Sequence, residues 1–293
     1  MAPISSNELP GFQPGAHIAT FLETSSGTLQ RHYSLCNQTV SRDAYKIAVK
    51  RTHDSRGGSR YWHDEVYTGK TLLVSPPVNH FRISPAARHH LFIAGGIGIT
   101  PFIPMLAQLR SHGGSFELHY AVSSPDKGAF VSWLKTVVPR ETHIYYSSQR
   151  RLTTEVLMNR RIGTHVYLCG PPGMTKEFQS GARSLGYSHS NIHLEAFAAF
   201  DDKTNQPFLV HLYRSEAKVQ VPSDKTLLQS LLDAGIKVPS SCHAGGCGTC
   251  QIEVLEGEID HRDFYLTEEE QKQQNIIVPC VSRARGQDLK LDL

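Results

Sequence analysis

Four cysteines near the C-terminal end, Cys242, Cys247, Cys250 and Cys280, are spaced C-x4-C-x2-C-x29-C. That is the plant-type 2Fe–2S ligand pattern. It constrains the fold as well as the chemistry, because each iron takes two thiolates and three of the four must come from one tight loop. The loop is Ser241-Cys242-His243-Ala244-Gly245-Gly246-Cys247-Gly248-Thr249-Cys250. Its glycines let the backbone turn N–H groups towards inorganic sulfide, since glycine tolerates positive φ and close approach. The fourth ligand arrives from Val278-Pro279-Cys280. A zinc site would show paired C-x2-C knuckles or histidines, and a disulfide scaffold belongs to a small secreted chain. The spacing therefore predicts an iron–sulfur electron carrier.

At 293 residues the chain is too long for one ferredoxin-like module, and two or three domains are expected. Hydrophobic residues make up 39% and charged residues 19%, as in ordinary soluble domains. No run of about eighteen apolar residues occurs, so no membrane partner is expected. Residues 1–10 lack a signal-peptide pattern. With four of six cysteines assigned to iron, a reducing, cytoplasmic setting follows. Cys36 and Cys169 read as small buried hydrophobes rather than reactive thiols. Residues 207–293 hold 9 Lys and Arg against 13 Asp and Glu, a net of −4; the remainder holds 21 against 14, a net of +7. Such a division arises by chance on solvated surfaces, or steers docking. No basic stripe interleaved with aromatics points to nucleic acid.

Residues 11 to about 85 show short alternating runs, such as 16–21 and 45–50, broken by Gly, Pro, Asn and Ser; a small antiparallel barrel is expected. From His89 strand and helix patterns alternate, predicting a parallel α/β sheet over about 88–195. The strands are expected at 91–94, 116–122, 142–147 and 166–169, with helices after residue 101 and at 129–137. Residues 201–207 read as a linker. Beyond it a hairpin at 208–213 and 217–221, a helix at 227–234 and a strand at 251–256 surround the cysteine loop.

Three further motifs carry chemistry. Arg31-His32-Tyr33-Ser34 offers a guanidinium fork for a phosphate, a planar ring for stacking and a hydroxyl for a flavin edge. A second patch, Arg56-Gly57-Gly58-Ser59, has backbone N–H groups suited to a phosphate, and Val49 and Lys50 end the preceding run beside it. Gly95-Gly96-Ile97-Gly98-Ile99-Thr100-Pro101 joins a strand to a helix, where dinucleotide phosphates approach the backbone. Cys169-Gly170-Pro171-Pro172-Gly173-Met174 ends a later parallel strand. Ligands of open parallel sheets sit outside the carboxyl ends of the strands, so both loops can serve one ligand.

In this order the four motifs resemble the phthalate dioxygenase reductase family over nearly the whole chain. The resemblance implies an FMN-binding antiparallel β-barrel over 1–87, an NAD-binding α/β domain over 88–200 and an α+β, β-grasp ferredoxin domain over 207–293. It implies electron flow from NADH through FMN to the 2Fe–2S cluster and on to a partner, a Rieske-type terminal oxygenase; a diiron oxygenase and a non-enzymatic carrier are the alternatives. A monomer is expected. Implied contacts with FMN and NADH are Arg31, His32, Tyr33, Ser34, Val49, Lys50, Gly57, Gly58, Ser59, Gly95, Gly96, Gly98, Thr100, Cys169, Gly170, Pro171 and Phe197, with Ser34, Thr100 and Phe197 nearest the reacting atoms. Phe197 either covers the flavin or packs at a domain boundary. Two departures stand out. Only eleven residues precede the segment starting at Phe12, too few for the usual first strand pair of such barrels. No arginine occurs at 123–126, which favours NADH over NADPH, although Lys127 is close.

Overall fold

The structure, a computed structural model, describes residues 1–4, 8–25, 27–37, 39, 42–53, 55, 57–158, 161–197 and 205–293. Arg56 of the second phosphate patch, and residues 201–204 of the expected linker, lie outside these. The chain divides into two compact units, Met1–Glu195 and Ala196–Leu293.

In the first unit, β1 (His17–Thr24) and β2 (Gly27–Ser34) form a long antiparallel hairpin, and β3 (Leu73–Val74) pairs with the other side of β1. The strand expected at 16–21 forms, but its burial does not alternate: residues 16–20 and Leu22 are all buried, and Phe21 between them is part-exposed. The run at 45–50 differs from expectation and makes no strand ladder. Its backbone is satisfied otherwise, Tyr45 N donating to Met1 O (2.8 Å) and Cys36 N to Lys46 O (2.8 Å). Tyr45 packs edge-on against Phe12 and donates its hydroxyl to Pro10 O, so this segment closes a small core with Ala16, Ile18 and Leu35. A short helix, α1 (Gly58–Asp64), follows.

The rest of this unit is a five-stranded parallel sheet. In chain order its strands are β4 (His89–Gly95), β5 (Phe116–Val122), β6 (Thr142–Tyr146), β7 (Thr164–Cys169) and β8 (Ile192–Glu195), arranged spatially β6-β5-β4-β7-β8. Every residue of β4 and β7 is buried, as expected of central parallel strands covered on both faces. Helices α2 (Phe102–Ser111) and α3 (Val131–Val137) pack with Phe92, Leu118, Tyr120 and Tyr167 on one face. Helix α4 (Pro172–Ser184) covers Leu91, Ile93, Val166 and Leu168 on the other. The strand order reverses direction between β4 and β7, which is where such sheets open a crevice for a ligand.

The second unit contains a five-stranded mixed sheet, β10-β9-β15-β11-β13. Its members are β9 (Phe208–Leu212), β10 (Lys218–Val221), β11 (Ile252–Glu256), β13 (Ile276–Ile277) and β15 (Asp288–Leu291); β12 (Ile259–Asp260) and β14 (Arg283–Ala284) pair separately. Helix α5 (Leu227–Asp233) is capped by Thr226, which accepts from Gln229 N, and it buries Leu227, Leu228 and Leu231 against the sheet. Helix α6 (Glu268–Gln273) starts with a capping box of Thr267 and Glu270. The buried Arg283 guanidinium donates to three backbone carbonyls, Lys225, Gln206 and Pro222, and so ties both ends of the unit together.

Candidate cofactor sites

The cysteine loop leaves α5 and has no regular structure until β11. Gly245 adopts φ 78, and a Cβ there would stand 2.7 Å from the Val281 side chain, next to the fourth cysteine's segment. Ala244 N lies 3.4 Å from Cys242 Sγ, an inward-turned N–H of the kind the sequence predicts. Cys250 and Cys280 are buried, Cys242 and Cys247 partly exposed, and none is in a disulfide. The thiols stand within hydrogen-bonding reach of one another in the chain Cys247, Cys242, Cys280, Cys250. These contacts pull Cys242 and Cys250 below the ordinary thiol range and push Cys247 and Cys280 above it, an alternation of acceptors and donors. A convergent set of four reduced thiols on a backbone turned inward fits a 2Fe–2S cluster. Loading it requires all four as thiolates, with loss of their protons.

On β2, Arg31, Tyr33 and Ser34 follow one another at the end of the hairpin. Thr20, directly opposite Arg31, donates to its carbonyl at 3.1 Å, and the Arg31 guanidinium donates to Gln30 O at 2.7 Å. Helix α1 lies against this strand: a Cβ on Gly58 would meet the Arg31 stem at 2.7 Å. Tyr33 packs edge-on against Trp62, centroids 5.6 Å apart, and burial pushes its hydroxyl up to about 12. The Trp62 indole N–H lies towards that hydroxyl, yet it is buried and closes no hydrogen bond. An aromatic wall, a guanidinium and an orphaned donor side by side fit a flavin nucleotide. Ser59 is occupied with Thr52 and Ser55, and Val49 O is held by the His63 ring at 2.9 Å. Gly57 caps α1 with φ 88, and Lys50 is exposed. His32 stacks on His17 at 5.4 Å.

The two nucleotide loops touch. A Cβ on Gly98 would stand 2.3 Å from Cys169 O, one on Gly170 2.9 Å from Gly95, and one on Gly95 2.5 Å from Pro171. Tyr120 donates to Gly96 O at 3.0 Å, and the buried Thr100 hydroxyl to Ile97 O at 3.0 Å. Residues 95–100 and 169–171 thus form one continuous backbone surface, with the N-terminus of the thirteen-residue α4 opening beside it. Phe197 belongs to the other unit and is 46% exposed.

Three groups escaped the sequence reading. Glu195, at the end of β8, accepts from Ser34 Oγ at 3.2 Å. Burial pushes the Cys36 thiol up to about 12 and the Cys169 thiol upward too, and the Glu195 charge adds to both. A carboxylate ending an apolar strand was the available signal. Trp62 sits in a segment with no motif. The third group is Arg150: Ser147 N donates to Val122 O at 2.9 Å, so the loop after β6 lies beside the loop after β5. Arg150 stands over the Tyr145 ring, while Arg151 pairs with Glu177 at 3.3 Å. Of the acidic residues after the cysteine loop, Glu256 is paired with Lys290 (2.7 Å) and Asp260 with Arg262 (2.6 Å).

Residues 210–285 match the model of the 2Fe–2S iron–sulfur cluster binding domain. Residues 71–192 match that of the dimethylamine monooxygenase subunit DmmA-like N-terminal domain. Fold and site together define a modular iron–sulfur oxidoreductase. The chain is 40% identical over 289 residues, 98% of its length and 91% of the relative's, to the heme-dependent oxidative N-demethylase beta subunit of Ectopseudomonas mendocina. It is 39% identical to the carnitine monooxygenase reductase subunit of Escherichia coli, covering 97% of this chain and 90% of that one. The solved structure of phthalate dioxygenase reductase, described as a modular structure for electron transfer from pyridine nucleotides to [2Fe–2S], superposes with a TM-score of 0.75 at 34% identity, over 100% of this chain and 91% of that one. The chain belongs to the phthalate dioxygenase reductase family.

Proposed function

We propose that this protein is the reductase component of a multicomponent oxygenase, taking electrons from NADH through FMN and a 2Fe–2S cluster to a terminal oxygenase. The observation that carries the reading is the convergence of four reduced thiols in one unit while the other presents the touching loops at 95–100 and 169–171. Bound together, the cofactors supply hydride transfer to the flavin and one-electron passage to iron. The protein's own residues orient and insulate. Arg31 would hold the flavin phosphate and Tyr33 would wall the ring, with Trp62 fixing the Tyr33 plane. Ser34, oriented by Glu195, would donate at the flavin edge, and Gly57, Gly58 and Ser59 would line the phosphate end beside His32, Val49 and Lys50. Gly95, Gly96, Gly98, Thr100, Cys169, Gly170 and Pro171 would seat the nicotinamide nucleotide, and Phe197 would cover the flavin. Cys242, Cys247, Cys250 and Cys280 would hold the cluster.

The domain division that goes with this reading is a flavin barrel over 1–87, of which β1, β2 and β3 are the sheet, a nucleotide domain over 88–200 and a β-grasp ferredoxin domain over 207–293. Among the described residues no helix is long and apolar enough to cross a membrane. A monomer acting in the cytoplasm is our working assignment. A Rieske-type iron oxygenase is the first reading of the partner. A heme-dependent N-demethylase is the second, favoured by the identity to the N-demethylase beta subunit and by the DmmA-like match. Iron, acid-labile sulfide and extracted flavin are to be measured on purified protein. Cluster and FMN together support the proposal; a cluster with no flavin would leave only a carrier.

A further inference from the structure

Between β12 and α6 stands Asp263, a carboxylate whose side chain has no exposure to solvent and which the electron-transfer reading does not use. Its two oxygens take different partners. Oδ2 accepts from Leu266 N at 2.8 Å, and Oδ1 accepts from Ser282 Oγ at 3.2 Å. Ser282 lies two residues beyond Cys280 and is buried, and its Oγ accepts in turn from Arg262 N at 3.1 Å. On its other side the same segment holds the cysteine loop. Phe264 N donates to Gly245 O at 3.3 Å, and a Cβ on Gly245 would stand 3.3 Å from Asp263 Cα. Asp263 therefore joins the two stretches of chain that carry the four thiols, 242–250 and 278–282.

An ionised carboxylate is an acceptor only, and both oxygens of Asp263 are used in that way. The cations nearby are engaged elsewhere. The Arg262 guanidinium pairs with Asp260 at 2.6 Å and donates to Asn205 Oδ1, while Arg283 donates to backbone carbonyls. The His261 ring comes within 3.5 Å of Asp263 Oδ1, yet neither of its nitrogens closes a hydrogen bond. An amide N–H and a hydroxyl thus hold the negative charge in the interior, beside the cysteines.

We propose that Asp263 is a positioning residue for the cluster and that its buried charge lowers the cluster's reduction potential. The inference rests on the assignment of Cys242, Cys247, Cys250 and Cys280 to a 2Fe–2S cluster. Reduction there adds one electron, with no bond made or broken and no proton taken up. Net charge is among the factors that set such potentials, and a fixed negative charge that water does not screen opposes the added electron. A lower potential leaves the reduced centre a stronger donor to the next acceptor, which is the direction a reductase component needs.

The test is a redox titration of cluster-loaded, flavin-loaded protein with dithionite and mediators, followed by the electron paramagnetic resonance signal of the reduced centre. Asp263→Asn keeps the shape and both contacts, with the Ser282 hydroxyl turned round, and removes the charge. It is expected to favour the reduced form about tenfold or more, a rise of about 59 mV for a one-electron couple. Ser282→Ala keeps the charge but strips one donor from it, and should shift the same equilibrium roughly twofold towards the oxidised form. Asp263→Ala cuts both contacts and should retain less iron on gel filtration than Asp263→Asn; equal retention would overturn the positioning role. Asp260→Asn is the control, the same change of charge on a part-exposed carboxylate paired with Arg262, and its potential should match the wild type. A wild-type potential in Asp263→Asn, or an equal rise in Asp260→Asn, would overturn the effect of the buried charge. Should Asp263→Asn assemble no cluster, an unchanged potential in Ser282→Ala overturns it instead. A wild type with no 2Fe–2S signal would contradict the cluster assignment itself, and this inference with it.

Discussion

Gly98→Ala is the sharpest perturbation of the nucleotide site. The new Cβ would lie 2.3 Å from Cys169 O, 2.5 Å from Cys169 C and 2.8 Å from Gly170 N. Ordinary contact begins near 3.4 Å, so the two loops must separate by about 1 Å. The obstructing atoms are backbone at the end of β7, which is paired with β4, and no rotamer change relieves them. Overpacking of this kind costs about 1–3 kcal/mol. With rigid backbone on one side the upper end applies, or a fall of about 6–12 °C in the unfolding midpoint. The same shift displaces the surface that seats the nucleotide, and misplacement by about 1 Å lowers kcat/KM on the order of a hundredfold. Gly96→Ala is the control: its φ of 54 is left-handed but nothing lies within 4 Å, so it costs only about 1 kcal/mol. Trp62 and Trp133, both in the first unit, report its unfolding by fluorescence, and NADH-driven reduction of a small dye reports the site. If Gly98→Ala matches Gly96→Ala in midpoint and kcat/KM, the contact between the loops does not exist as described.

Cys→Ser at 242, 247, 250 or 280 should abolish the cluster and cytochrome c reduction while sparing dye reduction; normal iron content in any of the four would remove that cysteine from the ligand set. Arg31→Ala should weaken FMN binding about tenfold or more through loss of a charge-assisted contact, measured by flavin retained on gel filtration. Turnover should favour NADH over NADPH; if the two are equal, Arg150→Ala should lower NADPH turnover alone, and failure to do so would clear the loop after β6 of any role. Burial holds His90 down at about 4, against about 6.5 when unfolded. The unfolded chain therefore binds the proton first. Stability from this group is complete above pH 6.5 and is lost as pH falls towards 4, by about 2 kcal/mol at pH 5. His90→Phe should flatten this part of the acid limb of tryptophan-monitored denaturation.

What was legible in the sequence is the chemistry fixed by spacing and by sharp local signals. The cysteine loop, the apolar strand running into Gly95–Thr100 and the helix expected from residue 227 each specify their structure within a few residues; the helix that starts after Thr267 was not read. The run at 45–50 misled because alternation does not supply a partner strand; its neighbours are residues 1 and 36, and carbonyls there satisfy it without a ladder. Glu195, Trp62 and Arg150 were invisible for a different reason. Glu195 meets Ser34 and Trp62 meets Tyr33 across long stretches of chain, whereas Arg150 stands over the nearby Tyr145 ring in a loop with no motif.

The central claim is ordered electron flow from NADH through flavin to the cluster. Anaerobic stopped-flow mixing of the purified protein with NADH, followed at flavin and cluster wavelengths, tests it directly. The account requires flavin absorbance to fall first and cluster absorbance to follow, with the electron paramagnetic resonance signal of a reduced 2Fe–2S centre in the frozen product. A flavin that is fully reduced while the cluster stays oxidised would contradict it.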